Sequence, residues 1–248
     1  TRCVAVCSGA MSSPNVPAAA SRIPDDVPQI HSCDYRNPEQ IGTRAVLIVG
    51  TASSGVQIAR LLCESGQFDR VHLSASKVLV LPERILGIQA HRFIHSLGLF
   101  DVRTDSPLGR LMFSGLETKG DPIMRPTPED LHETYGTELY GRFRDFDGEV
   151  LRFSDGKSLA PRDLTVVWCT GYRPDYGFIE LDDRDAAFHP SGYPRHVRGV
   201  VDAAPGLYFV GLRYQHTVAS HDIYGVAKDA DFVAARIEAR LASTRVAA

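Results

Sequence analysis

The stretch VLIVGTASSGVQIARLL, residues 46–62, decides the fold class. An apolar run enters a glycine-containing turn, and a segment with helical periodicity follows. This order is typical of the GxGxxG turn, in which the first glycine permits the tight turn and the second lets a pyrophosphate approach the backbone. The third glycine lets the helix pack closely on the strand. The stretch therefore predicts a Rossmann-like α/β fold that binds a dinucleotide.

The turn departs from this pattern at its middle position, where Ala52 replaces glycine. A methyl group there crowds a phosphate but removes none of the N–H donors at the helix N-terminus. The hydroxyls of Ser53 and Ser54 add further polar groups near the same anion. We predict that the pyrophosphate contacts Gly50, Ala52, Ser53, Ser54 and Gly55. An ordinary strand-to-helix turn of an α/β sheet remains the alternative.

The elements around the turn predict a parallel sheet. Strand 45–49, a helix over about 54–64 and strand 70–74 together form a βαβ unit of about thirty residues. The sequence HLSASK ends the second strand and contains no acid for the ribose hydroxyl of NADH. A 2′-phosphate needs hydroxyl donors and a cation instead, so NADPH is favoured, with Ser74, Ser76 and Lys77 as its candidate contacts. The alternative for Lys77 is a solvated surface lysine.

Further elements follow from local patterns. Residues 3–7 are apolar throughout, as in a parallel strand covered on both faces. We predict a helix over 85–97, another that begins after the cap residue Thr127, and a β-meander with turns at Asp147-Gly148 and Asp155-Gly156. Buried strands are predicted at 164–169 and 207–210. A closing helix of about twenty residues has an apolar face, which comprises Val226, Ala230, Val233, Ile237 and Leu241.

Composition narrows the function classes. The chain has 248 residues, is 44% hydrophobic and carries a net charge of -3, which gives no sign of a nucleic-acid or membrane partner. The five cysteines form no CxxC pair, so we expect reduced, largely buried thiols in a cytoplasmic protein and no dithiol reductase. His91 and His95 share a helical face without the glutamate of HExxH, so no metal site is predicted. No catalytic residue is assigned.

A family resemblance rests on landmarks that fall in order along nearly the whole chain. They are CSGAMSSPNVP, IHSCDYRNP, VLIVGTASSGVQIA, VHLSASK, VVWCTGYRPDY, PGLYFVGL and SHDIYGVAKDADFVA. In this order they resemble the flavin-dependent monooxygenases of the flavin-containing and Baeyer–Villiger types. The resemblance implies FAD and NADPH as cofactors. It also implies linker or flavin-binding roles for Gly9, Gly171, Tyr172, Gly211, Tyr224 and Gly225.

The resemblance also implies a domain order. Residues 1–40 correspond to the end of a first FAD segment and its linker, 41–170 to the NADPH-binding Rossmann-like domain, and 171–248 to a returning, partial FAD-binding domain. The family's N-terminal GxGxxG unit for FAD has no counterpart in this sequence. His31 and Tyr35 match only the end of the family's FxGxxxH fingerprint, so we expect His31 to be a structural residue between domains.

The implied reaction is monooxygenation. NADPH reduces FAD, O2 forms a C4a-peroxyflavin, and one oxygen passes to a small-molecule substrate with a soft nitrogen, sulfur or carbonyl group. One alternative is a non-catalytic nucleotide-binding module that has lost flavin binding, and another is a chain that binds neither cofactor. We expect the chain alone to be colourless and inactive. An incomplete FAD sheet would expose the apolar strands at 3–7 and 207–210, which predicts self-association.

Overall fold

The computed structural model describes residues 2–9, 11–75, 79–113 and 122–246. The helices of this part are α1 (Ser53–Ser65), α2 (Ala90–Ser96), α3 (Pro107–Phe113), α4 (Pro128–Tyr135), α5 (Arg184–Ala187) and α6 (Val226–Val246). The first seven strands are β1 (Val4–Val6), β2 (Ser13–Pro14), β3 (Gln29–His31), β4 (Ala45–Val49), β5 (Arg70–Ser74), β6 (Arg84–Ile85) and β7 (Ile88–Gln89). They are followed by β8 (Glu138–Tyr140), β9 (Phe143–Phe146), β10 (Leu151–Phe153), β11 (Ser158–Leu159), β12 (Leu164–Trp168), β13 (Tyr172–Arg173) and β14 (Leu207–Phe209).

The chain forms two compact units. The first comprises residues 1–13, 91–118 and 172–248, and the second comprises 14–90 and 119–171. We call them the terminal unit and the central unit. The predicted mixed α/β fold with a parallel sheet is confirmed in the central unit.

The central unit is built on a five-stranded parallel sheet in the order β3-β12-β4-β5-β8. Strand β4 leads through α1 to its neighbour β5, whereas β12 lies on the other side of β4. The strand order therefore reverses between β4 and β12, although all strands run parallel. In open α/β sheets such a reversal marks the crevice where ligands bind, outside the carboxyl ends of the strands.

Strands β4 and β12 are apolar at almost every position, so both faces of this sheet must be covered by other elements. On one face, α1 and α4 pack against the sheet through Val56, Ala59, Leu62 and Leu131. On the other face, a layer formed by the β9–β11 meander covers β12, with Trp168 at its centre. The predicted meander is confirmed, and Gly148 and Gly156 take the positive φ angles that its turns need.

Helix boundaries follow local chemistry. Helix α1 ends at Gly66, whose φ of 66° is left-handed. Helix α4 begins at the predicted cap, because the Thr127 hydroxyl accepts a hydrogen bond from the Asp130 N–H. The prediction of a helix over 85–97 is wrong in its first part, since β6 and β7 form a hairpin there and α2 starts only at Ala90. Leu86 and Gly87 have positive φ angles, which close the hairpin and exclude a helix.

The terminal unit contains a parallel pair of β1 and β14. Strand β14 is buried along its length, with Tyr208 against α6 and Phe209 against an aromatic cluster on the opposite face. The predicted apolar face of α6 is confirmed for Val226, Ala230, Val233 and Ile237, which pack toward β14, whereas Leu241 is not part of this cluster.

Three expectations need correction. Strand β1 is not covered on both faces, because only Val6 is buried and Val4 remains 48% exposed. Strand β14 does not expose an apolar face, because α6 covers it. The cysteines are free thiols of which only Cys169 is buried, so they are not largely buried. Within the five-stranded sheet, the sequence analysis did not predict strands β3 and β8.

Candidate dinucleotide-binding site

The glycine turn lies where the carboxyl ends of β4 and β12 meet. Gly50 has a φ of 98°, and a Cβ atom on it would lie 2.4 Å from the carbonyl oxygen of Cys169. No side chain fits at that distance, so glycine is required both by backbone conformation and by space. This close approach places the turn at the reversal point of the sheet.

Gly55, at the third position of the motif, lets α1 pack closely on the turn. A Cβ atom on Gly55 would lie 1.9 Å from the carbonyl oxygen of Gly50. The Val56 N–H donates to the Ala52 carbonyl and makes the first helical hydrogen bond of α1. The preceding N–H groups of Ser53, Ser54 and Gly55 have no partner within the helix, because the first turn of any helix leaves its donors unpaired. These donors and the helix dipole form a site suited to a phosphate.

Ala52 caps α1 without a side-chain hydrogen bond. Its methyl group is half-buried and packs against the apolar core on the α1 face of the sheet. Ser53 and Ser54 are both exposed at the helix start. The hydroxyls predicted to contact the anion are therefore accessible to it.

Two buried groups beneath the turn were not singled out from the sequence. Thr51 is 1% exposed, and its hydroxyl oxygen has no hydrogen-bond partner among the described residues. Burial raises the pKa of the Cys169 thiol to about 12. The thiol is therefore neutral at physiological pH and does not oppose an anion at the turn. The only sequence signal for Thr51 was its position as a polar residue between Gly50 and Ala52.

Ser74 connects the end of β5 to its two neighbours. Its carbonyl oxygen accepts a hydrogen bond from the Gly50 N–H at 3.0 Å. Its hydroxyl donates to the Gly141 carbonyl and accepts from the Phe143 N–H, both at 2.9 Å. The side chain is 2% exposed, so its hydrogen bonds serve the protein itself. A direct contact of Ser74 with the cofactor stays a prediction. Ser76 and Lys77 lie outside the described residues.

The turn at Gly171 is held by side chains from elsewhere in the central unit. The amide of Asn15 donates to the Thr170 carbonyl, and the Asn15 N–H donates to the Gly171 carbonyl. His31 is buried, and its Nδ1 accepts from the Cys33 N–H, so the proton resides on Nε2. Nε2 then donates to the Gly171 carbonyl at 3.0 Å. His31 thus has a structural role at this turn. Tyr172, the residue after Gly171, is 37% exposed.

The terminal unit has a second glycine-containing edge, where β1 and β14 both end. Gly9 has a φ of 70°, and its carbonyl accepts a hydrogen bond from the Tyr176 hydroxyl. Gly211 has a φ of 82°, and a Cβ on it would lie 3.8 Å from the Val226 side chain at the start of α6. The end of β14 therefore adjoins the N-terminus of the closing helix.

Packing determines the residues just before α6. A Cβ on Gly225 would lie 2.3 Å from the Ala219 carbonyl oxygen, so this glycine is needed for a close backbone crossing. Tyr224 is 61% exposed and stacks on Phe100. Neither observation tests contact with a flavin, and that role stays a prediction.

A buried ion pair holds the first turn of α6. Asp229 is 1% exposed, and Arg198 Nε lies 3.2 Å from its carboxylate. A carboxylate in the first turn also interacts favourably with the helix dipole. The sequence signal for this residue is an acid within the apolar stripe of the helix, between Val226 and Ala230.

Comparisons with known proteins give sequence relatives and structural neighbours. The chain is 32% identical over 231 residues to an oxidoreductase described as CzcO-like from Geobacillus kaustophilus, covering 93% of this chain and 63% of that protein. It is 24% identical over 258 residues to an indole-3-pyruvate monooxygenase from Oryza sativa subsp. japonica, covering 92% of this chain and 61% of that protein. No protein-family model matches the chain.

These relatives are named as an oxidoreductase and a monooxygenase, which supports the resemblance to the flavin-dependent monooxygenase family.

Solved structures of flavin monooxygenases share its fold. A variant flavin monooxygenase from Stenotrophomonas maltophilia is 20% identical with a TM-score of 0.63, covering 95% of this chain and 62% of that one. An ornithine N-hydroxylase from Kutzneria sp. 744, whose description includes reduced FAD, NADP+ and ornithine, is 16% identical with a TM-score of 0.62. That match covers 96% of this chain and 64% of the hydroxylase. The chain thus spans less than two thirds of the length of these flavin monooxygenases and of the two sequence relatives.

The described residues contain neither a candidate metal site nor a candidate membrane-spanning helix. No group of three or more histidine, cysteine, aspartate or glutamate residues in this part of the chain could hold a metal ion. No helix that the structure describes is both long and apolar enough to cross a membrane.

Proposed function

We propose that this chain binds NADPH at the glycine turn of the central unit and contributes to a flavin-dependent monooxygenase. The close approach of Gly55 to the Gly50 carbonyl, with the unpaired N–H groups of α1 above it, carries this proposal. The contact packs α1 closely on the turn, so that the N–H donors at the helix start face the position where a pyrophosphate binds in this motif. In this assignment, the sequence-based NADPH domain at 41–170 holds the nicotinamide cofactor.

FAD is the proposed second cofactor, with residues 1–13 and 172–248 of the terminal unit as the parts of the chain that contribute to its domain. The flavin monooxygenase relatives support this choice, as does the FAD named for the structural neighbour from Kutzneria. Gly9, Gly211 and the α6 N-terminus are the proposed contacts, because the positive φ angles and the helix start leave backbone groups near one edge of β1 and β14. The dipole at the start of α6 favours the negative charge that a flavin gains on reduction.

Bound FAD would supply electron transfer from NADPH to O2 and oxygen transfer to a substrate. This chain's own residues would hold the cofactor phosphates and orient the two ring systems. The proposed substrates are small molecules with a soft nitrogen, sulfur or carbonyl group, and the proposed compartment is the cytoplasm.

The proposal is tested by titrating the 248-residue chain with NADPH and, separately, by adding FAD and removing unbound flavin by gel filtration. Ser54→Glu introduces a carboxylate at the phosphate site, and a helix N-terminus tolerates that negative charge. We expect this variant to lose NADPH affinity by about tenfold or more, since it repels the phosphate. Gln67→Glu adds the same charge beyond the other end of α1 and should bind NADPH as the native chain does.

The outcomes separate the alternatives. Native binding that Ser54→Glu abolishes supports the NADPH site. Retained flavin absorption together with NADPH oxidation supports the monooxygenase, whereas NADPH binding without retained flavin supports the non-catalytic nucleotide-binding module. A native chain that binds no NADPH overturns the proposal.

A further inference from the structure

The hydrogen bonds of Ser74 join the end of β5 to the residues that follow β8, next to the candidate NADPH site. Gly141 and Phe143 both bond to the Ser74 hydroxyl, and Ala75 N–H donates to the Tyr140 carbonyl at 2.9 Å. The residue between these contacts is Arg142. Its backbone is therefore fixed beside the carboxyl end of β5, the strand whose end carries the ribose of a bound dinucleotide in Rossmann-like folds.

The backbone of Arg142 is fixed, but its side chain is uncommitted. The Arg142 N–H donates to the Ser154 hydroxyl at 2.9 Å, and a Cβ on the preceding Gly141 would lie 2.6 Å from that same hydroxyl oxygen. The residue is exposed, and within the described residues no carboxylate forms an ion pair with its guanidinium. An unneutralised arginine at the carboxyl edge of a parallel sheet is suited to a bound anion.

Several other cations near this part of the central unit already have partners. Lys157 donates to the Leu139 carbonyl at 2.6 Å and lies near Asp155. Arg22 pairs with Asp145, and Arg152 pairs with Asp147. Arg70 lies at the start of β5, which is the opposite edge of the sheet from the glycine turn. Arg142 and Arg144 remain as exposed arginines of this region without an ion pair among the described residues, and of the two only Arg142 lies between the contacts of Ser74.

We propose that Arg142 recognises the ribose 2′-phosphate of NADPH and so determines the preference for NADPH over NADH. This inference rests on the proposed function, and it adds a residue 65 or more positions away from the serines and the lysine that the sequence suggested near the same phosphate. The planar guanidinium can donate two parallel hydrogen bonds to phosphate oxygens, which an ammonium group cannot do. Ser74 acts as a positioning residue, since it holds the backbone on both sides of Arg142.

The test measures the dissociation constants of NADPH, NADH, 2′,5′-ADP and 5′-ADP for the native chain and three variants. Arg142→Gln removes the guanidinium, and Arg142→Lys keeps the charge without its fork. Arg162→Gln is the matched control, because Arg162 is also exposed but precedes β12 at the opposite edge of the sheet. We expect Arg142→Gln to weaken NADPH and 2′,5′-ADP by about 10- to 100-fold and to leave NADH and 5′-ADP unchanged. Arg142→Lys should lie between Gln and native, and Arg162→Gln should match native.

Two results overturn the inference while leaving the proposed NADPH site intact. In one, Arg142→Gln binds NADPH as tightly as the native chain. In the other, it weakens NADPH and NADH equally, which indicates a general loss of dinucleotide binding. A native chain that binds none of the four ligands overturns both the inference and the proposed function. Thermal unfolding of each variant shows whether a loss of binding reflects a loss of fold.

Discussion

The carbonyl oxygen of Cys169 lies 2.4 Å from the position that a Cβ atom of residue 50 would occupy. Because Cys169 follows β12 and Gly50 follows β4, this contact joins the ends of two strands that are far apart in sequence. It fixes the turn at the point where the strand order reverses, which is where an α/β sheet offers its ligand crevice. The glycine is therefore demanded by the fold itself.

Gly55→Ala tests the close packing of α1 on the turn. Its added Cβ would meet the Gly50 carbonyl oxygen at 1.9 Å, so the helix start must shift. We expect the free energy of unfolding in urea to fall by about 2–4 kcal/mol. Gly42→Ala is the control, since no atom lies within 4 Å of its added Cβ and its φ is not positive. Equal stability of the two variants would contradict the geometry of the turn.

Thr51→Val tests the buried hydroxyl under the turn. Valine has nearly the same shape and removes a hydroxyl that has no partner among the described residues. We expect the free energy of unfolding without cofactor to rise by about 1 kcal/mol. Thr165→Val gives the comparison, because the Thr165 hydroxyl lies 2.8 Å from that of Thr43, and its loss should lower stability by about 1 kcal/mol. A lower stability of Thr51→Val would mean that its hydroxyl is hydrogen-bonded.

Acid sensitivity should arise partly at His72. Burial lowers the pKa of His72 from its usual 6.5, although the Glu138 carboxylate opposes this shift. The unfolded chain therefore binds a proton more readily than the folded chain below pH 6.5, and stability falls as the pH decreases from there to the lower folded pKa. We expect His72→Phe to flatten the pH dependence of the unfolding free energy in this window.

Its control is His91→Phe, which alters an exposed histidine. Burial also lowers the pKa of His196 and of His216 in the terminal unit, so the His72 variant should reduce the pH dependence without abolishing it. An unchanged slope in His72→Phe would show that His72 titrates alike in both states.

Self-association should involve the open side of β1. Among the described strands only β14 pairs with β1, and Val4 on it is 48% exposed. A cavity of about 570 Å³ adjoins this strand, with the 67% exposed Phe178 on its wall. We expect the purified chain to sediment as a dimer or larger species and Val4→Lys to shift it toward monomer, since edge strands with apolar side chains attract one another.

Val197→Lys is the matched control for this experiment, because Val197 is 69% exposed elsewhere in the terminal unit. It should leave the sedimentation profile of the native chain unchanged. A native chain that sediments as a single monomeric species and melts cooperatively would contradict the prediction.

Local sequence was sufficient for elements whose signals are contiguous. The strand, turn and helix at residues 46–62 were predictable because hydrophobic periodicity and glycine spacing act over neighbouring residues. The cap at Thr127, the meander turns and the stripe of α6 follow the same logic. The glycine turn and the accessible serines of the candidate site were therefore available from the sequence.

Other features had no local signal. Strand β3 is three residues long and contains two polar side chains, so only its pairing with β12 makes it a strand. The hairpin at Leu86 and Gly87 depends on two positive φ angles within a segment whose residue types favour a helix. The ion pair of Arg198 with Asp229 joins residues that are 31 positions apart.

The sequence by itself determined the α/β class, the family resemblance and the position of the glycine turn, because these depend on short patterns of side-chain size and polarity. Only the tertiary structure decided which strand ends meet at that turn. Parallel strands are joined by long crossovers, so neighbours in the sheet are distant in the chain and their order is set by packing on both faces. For that reason Cys169 beside Gly50, and Arg142 beside Ser74, became visible only in the folded chain.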